Sequence, residues 1–164
     1  MPQPARSLGR RALLAGNPIK HGSFTIERNY SALPAKVFAA FAQADARRKW
    51  LVFADGWTIH EYRPAEPTVA GAVEFTRFSP RGADFVLTNA TTWLHVDEGN
   101  TLIYAYHMTL EGTPLSSSLV TISFNSDGAG TRLELTEQGA YFDGDIAGRE
   151  AGTRALLDEV EKVL

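Results

Sequence analysis

Glu137 stands apart from the other carboxylates of this chain because of where the side-chain alternation puts it. In Thr131–Gln138, Leu133 and Leu135 share one face of an extended segment, while Arg132, Glu134 and Thr136 share the other. The two-residue period carries Glu137 to the apolar side. A carboxylate on an inner face can fix a polar group of a ligand, or act as a general acid or base. The structural alternative is a place at the sheet's rim, paired with an arginine such as Arg154 on a covering helix.

A second set, Asn89, Trp93, Tyr104 and Tyr106, combines apolar bodies with polar tips, as small-molecule pockets require. Its members meet if hairpins are folded about the intervening turns. The Asp97–Asn100 turn pairs His95 with Leu102, Trp93 with Tyr104, Thr91 with Tyr106 and Asn89 with Met108 on one face. The other face pairs Leu94 with Ile103, Thr92 with Ala105 and Ala90 with His107. The first face is bulkier and more aromatic, so it is assigned inward. The Ser79–Ala83 turn sets Val73 opposite Asn89, Phe75 opposite Leu87 and Arg77 opposite Phe85, which adds Phe75 to the inward set. The last hairpin pairs Phe124 with Leu133, Ile122 with Leu135 and Val120 with Glu137. A single bulge would invert the faces beyond it.

Other chemistry finds little support. His21, His60, His95 and His107 are scattered, with no HxH or HExxH spacing, and the register puts His95 and His107 on opposite faces. No metal site is expected; His60 or His95 as a catalytic base is the alternative. There is no GxSxG elbow and no phosphate-cradling glycine loop, and Ser116-Ser117-Ser118 reads as the start of a strand. No cofactor is called for, and catalytic residues are not assigned.

These residues need elements to position them. Ser23–Tyr30 alternates as a strand. Pro34 suits the first position of a helix whose buried stripe is Val37, Phe38 and Phe41. A second short helix covers Asp45–Trp50, and Trp57–Arg63 is a strand following Gly56. Pro64–Pro67 is a loop or an edge. Further strands are expected at Ala72–Phe78, Asp84–Val96, Thr101–Leu110, Ser117–Asn125 and Thr131–Gln138. Tyr141 falls in a loop that leads to a terminal helix, either at a pocket entrance or on the surface. Asp145 can cap that helix, and Gly148, Gly152, Leu156 and Val160 lie along one stripe of it. Glycine weakens helices, so the two glycines either leave room for a ligand or allow close helix-on-sheet packing. The order defines an α+β fold: an antiparallel sheet of about six or seven strands, two short helices after the first, and a long C-terminal helix across the concave face.

The chain has 164 residues, 44% of them hydrophobic and 21% charged, with a formal net charge of −3 and no cysteine. That suits one domain over residues 21–164 and excludes disulfides and thiolate chemistry. The mixed charge argues against a nucleic-acid partner. No apolar run approaches the roughly 18 residues of a membrane span. Residues 1–20 are Arg-rich and read as a flexible or peripheral arm. A targeting peptide is the alternative, but its apolar part, Ala12–Ala15, is short for a secretory core. A cytoplasmic location is expected.

The order of elements resembles the helix-grip superfamily of START domains, plant Bet v 1-type proteins and polyketide cyclases. Within it, the chain is similar to bacterial proteins related to the C-terminal domain of the activator of Hsp90 ATPase. The resemblance covers about residues 21–164. It rests on His21-Gly22-Ser23-Phe24-Thr25-Ile26-Glu27-Arg28, Pro34-Ala35-Lys36-Val37-Phe38, Arg48-Lys49-Trp50, Gly56-Trp57-Thr58, Leu102-Ile103-Tyr104-Ala105-Tyr106 and the run from Gly130 to Gly139. Relatives often carry a histidine after the Arg-Glu pair; here Arg149-Glu150 is followed by Ala151.

The resemblance implies a cavity under the long helix, and the inward aromatic-polar face points to a small, largely apolar or aromatic ligand held between sheet and C-terminal helix. The expected lining is Phe75, Asn89, Trp93, Tyr104, Tyr106, Met108 and Glu137, with Tyr141 near the entrance and Gly152 and Leu156 as the roof. Two alternatives stay open. One is a cyclase- or hydrolase-like enzyme acting on a small aromatic or polyketide-like substrate. The other is a chaperone-interaction module. Neither nucleic acid nor membrane is expected as a partner, and homodimerisation is left open.

Overall fold

The computed structural model describes residues 18–164, so the expected arm over residues 1–20 lies almost wholly outside the described residues. The elements run β1 (Lys20–Tyr30), α1 (Pro34–Ala42), α2 (Ala44–Arg47), β2 (Trp57–Arg63), β3 (Val73–Pro80), β4 (Leu87–Asp97), β5 (Thr101–Leu110), β6 (Thr113–Asp127), β7 (Gly130–Tyr141) and α3 (Ile146–Val160). A π-helical turn, Arg48–Val52, continues directly from α2. The second short helix is therefore longer than expected and changes its winding at Arg48.

The strands form one seven-stranded sheet in the order β1-β7-β6-β5-β4-β3-β2, every pair antiparallel. Strands β2 to β7 are sequential neighbours, and β1 closes the other side by pairing with β7. The expected α+β architecture is the observed one. Both helical layers pack on the inner face. Pro34 sits in the first turn of α1, which buries Val37, Phe38 and Phe41. The rings of Phe38 and Phe41 meet Phe124 of β6 edge-on at 5.3 and 5.4 Å. Asp145 caps α3, its Oδ1 accepting from the Gly148 amide at 2.9 Å. Leu157 and Val160 of α3 are buried, and Tyr30 of β1 donates to the Leu157 carbonyl at 2.8 Å.

The β6–β7 register is as expected, with Val120 opposite Glu137. So is most of β4–β5: Trp93 faces Tyr104, Thr91 faces Tyr106 and Asn89 faces Met108. Two assignments are corrected. A bulge at Leu94 makes His95 pair with Ile103 and Val96 with Leu102, so His95 points out and is exposed. In β3–β4, Phe75 pairs with Ala90 instead of Leu87, and Val73 with Thr92 instead of Asn89. The connection Arg81–Val86 is longer than the tight turn assumed. An odd slip exchanges the faces of a strand. Glu74, Thr76 and Phe78 therefore point inward, and Phe75 points out. β6 also starts at Thr113, so Ser116–Ser118 lies within the strand and not at its beginning.

Candidate functional site

Between the inner face of the sheet and α3 lies a cavity of about 280 Å³. Asn89, Trp93, Tyr104, Tyr106, Met108 and Glu137 of the sheet line it, together with Gly152 and Leu156 of α3. These eight residues are on the expected list. The other two are not in the wall. The Phe75 ring lies on the outer face, 4.4 Å beneath the Arg63 guanidinium. Thr76 and Phe78 line the cavity from the same strand, as the corrected register requires. Tyr141 is neither an entrance residue nor on the surface: it ends β7, is fully buried, and donates to Glu137.

Glu137 is 1% exposed and anchors a hydroxyl cluster. Its Oε1 accepts from Tyr106 at 2.6 Å, Ser118 at 2.8 Å and Tyr141 at 3.1 Å. The donors come from β5, β6 and β7, because these strands are neighbours and the residues share the inner face. Gly139 makes the convergence feasible. A Cβ there would lie 2.8 Å from the Ser118 hydroxyl and 2.9 Å from the Tyr141 ring. Burial raises the pKa of Tyr141 to about 12, with the Glu137 charge adding to it. Tyr106 is likewise raised, first by burial, with Arg149 opposing and Glu137 reinforcing the shift. Tyr104 is raised by burial and then by Glu137. At neutral pH these phenols are protonated, so each can donate a hydrogen bond.

Arg154 does not pair with Glu137. It binds Glu150 one turn away on α3, at 2.6 Å. The cation linked to the cluster is Arg149, whose Nη1 donates to the Tyr106 hydroxyl at 2.8 Å and to Met108 Sδ at 2.9 Å. Tyr106 thus bridges Arg149 and Glu137. Trp93, 3% exposed, keeps its Nε1 without an acceptor among the described residues.

A buried ion pair forms part of the cavity wall. Arg47, 2% exposed, pairs with Glu74 through Nε and Nη2 and also donates to the carbonyls of Phe41 and Ala65, each at 2.7 Å. Its guanidinium lies 4.7 Å over the Trp93 ring. Glu74 further accepts from Tyr62 at 3.3 Å. Tyr62 is raised to about 12 by burial and then by the Glu74 charge. The pair ties α2 to β3 and fixes the wall behind Trp93. Sequence reasoning missed both partners. Glu74 was hidden by the slipped register, and Arg47 by its place in the charged stretch Asp45–Lys49. The alternation Glu74, Thr76, Phe78 was the available signal.

The histidines stay away from the cavity. His60 bonds Ser79 at 2.8 Å, His107 bonds Ser117 at 3.0 Å, and His95 is exposed. Among the described residues no cluster of three or more His, Asp or Glu could hold a metal, and no helix is long and apolar enough to cross a membrane.

A curved antiparallel sheet closing on a long C-terminal helix over an internal cavity is the helix-grip architecture. The chain belongs to the family described as Activator of Hsp90 ATPase homolog 1-like protein, whose model matches residues 31–164. A crystal structure of a Rhizobium loti protein is 36% identical, with a TM-score of 0.81, covering 90% of this chain and 100% of that one. A Rhizobium leguminosarum protein is 29% identical, with a TM-score of 0.78, covering 89% and 95%. An AHSA1-like protein from Aeromonas hydrophila, at 18% identity, a TM-score of 0.65 and coverage of 87% and 91%, shares the fold. No curated protein matches the chain.

Proposed function

We propose that this chain binds a small, largely apolar molecule in the cavity between the sheet and α3. The observation that carries the reading is a space of about 280 Å³ inside the fold, walled by aromatic and aliphatic side chains with a few polar groups facing in. That mixture suits small-molecule recognition. A cavity of roughly 150 Å³ holds one benzene ring, so this one suits a ligand of about two rings. Gly152 supports the reading too. A Cβ there meets nothing within 4 Å, so close packing does not demand the glycine.

Native mass spectrometry against a panel of one- and two-ring apolar compounds tests the proposal. Wild type should show one adduct per chain. Thr91→Phe, which fills the space beside Tyr106, should suppress it while keeping the fold. No adduct across the panel, or equal adducts in both proteins, would sink the idea.

A second reading, an acid–base enzyme of cyclase or hydrolase type, is favoured by one specific observation. Glu137 and Tyr106 are titratable, lie 2.6 Å apart and both line the cavity. Turnover of an activated aryl ester that is lost in Glu137→Gln while binding persists would support it. Equal slow hydrolysis in both proteins would dismiss it.

A further inference from the structure

We propose that the ligand of this cavity is a monocarboxylic acid, its apolar body against Trp93 and Tyr104 and its carboxylate on Arg149. The inference rests on the cavity-binding proposal and adds the chemical class of the ligand.

The cavity wall contains two guanidinium groups, and they differ in how they are engaged. Arg47 is fully committed: Nε and Nη2 go to Glu74, and all three nitrogens donate within the protein. Arg149 donates only through Nη1, to a phenol and a thioether. Among the described residues its Nε and Nη2 have no acceptor, and it has no ion-pair partner. The nearby acidic groups are already engaged. Glu150 is paired with Arg154, and Glu137 takes three hydroxyls on Oε1. A guanidinium fork with one edge unengaged matches a carboxylate, which accepts two parallel N–H bonds. Among the described residues the cavity wall offers one unpaired guanidinium, which suits a monoanion better than a doubly charged phosphate, since Glu137 sits just beyond the Tyr106 hydroxyl.

One further feature agrees. Gly148 and Gly152, which flank Arg149 on α3, carry no side chains that would cover it. Charge-assisted bonds to arginine are stronger than those between neutral groups. A tenfold or greater preference for acid over alcohol is therefore expected.

Calorimetric titration with naphthalene-2-methanol, 2-naphthoate and 2-naphthylmethylamine tests this on wild type, Arg149→Gln and Arg149→Lys. Wild type should bind the carboxylate at least tenfold more tightly than the alcohol and bind the amine most weakly. Arg149→Gln should bring acid and alcohol within about twofold of each other by weakening the acid, and measurable alcohol binding by the variant reports an intact cavity. Arg149→Lys should retain part of the preference. Equal binding of acid and alcohol by wild type, or an acid preference that survives in Arg149→Gln, overturns the carboxylate proposal and leaves the cavity reading standing. Binding of none of the three compounds overturns both.

Discussion

Glu137 is held by three hydroxyls from three strands, so its removal reaches further than one side chain. Glu137→Leu strands the Ser118 and Tyr141 hydroxyls in an apolar setting, and urea denaturation should show a loss of about 2–4 kcal/mol. Glu137→Gln keeps an acceptor oxygen in place and should lose only about 1 kcal/mol. Equal losses would mean the hydroxyls are satisfied elsewhere. Arg47 and Glu74 follow a different logic, because both are charged and nearly inaccessible. Arg47→Met leaves a buried carboxylate unpaired and should destabilise by about 3–5 kcal/mol. The double variant Arg47→Met/Glu74→Leu should recover much of that loss, and a double-mutant cycle measures the difference. The tyrosines give a signature in alkali. Tyr62 and Tyr141 are raised from 10.0 to about 12 in the folded chain. Above pH ~10 the unfolded state releases phenolic protons that the folded state keeps, so their contribution is complete below that pH. It is lost as pH rises toward 12. Denaturation midpoints should fall over this window, and less steeply in Tyr141→Phe.

At the level of elements, α3 carries two glycines with different duties. A Cβ at Gly148 would come within 2.2 Å of the Asp145 carboxylate that caps the helix. Gly148→Ala gains helix propensity of about 1 kcal/mol but displaces a cap worth about as much, so its net effect should be near zero. Gly152 has open space around it. Gly152→Ala should therefore stabilise the protein by roughly 0.5–1 kcal/mol. Thermal melts of the two variants check the contrast, and a destabilised Gly152→Ala would mean that the backbone there needs glycine. The strands show where pattern reading works. The inner β4–β5 pairs agree with expectation only because the bulge at Leu94 offsets a one-residue error in the register at the Asp97–Asn100 turn. The β6–β7 pairing was legible because a short Asp/Gly turn fixes its register and both strands alternate strongly. The β3–β4 pairing was not, because Ser79–Val86 contains several turn-forming residues and no single one fixes the centre. That one slip misplaced Phe75 and concealed Glu74.

For the whole molecule, element order was enough to read the helix-grip architecture, since seven strands closing on a C-terminal helix leave few alternatives. The site was legible in part. Glu137 and the aromatic row followed from two-residue alternation, a local property. Tyr141, Arg149 and Arg47 required three-dimensional convergence that no spacing announces. Arg149 in particular reads as an ordinary helix charge until Tyr106 and Met108 are seen to face it. The fold leaves a space where sheet and α3 could have met, and that space is the basis of the function proposed. Its most direct test is to locate a bound probe. Intermolecular nuclear Overhauser effects from a bound two-ring apolar compound should reach the methyls of Leu135, Leu156 and Leu157 at the cavity wall. Contacts confined to the exposed Leu94 and Leu119 on the outer face, with none to the cavity methyls, would contradict it.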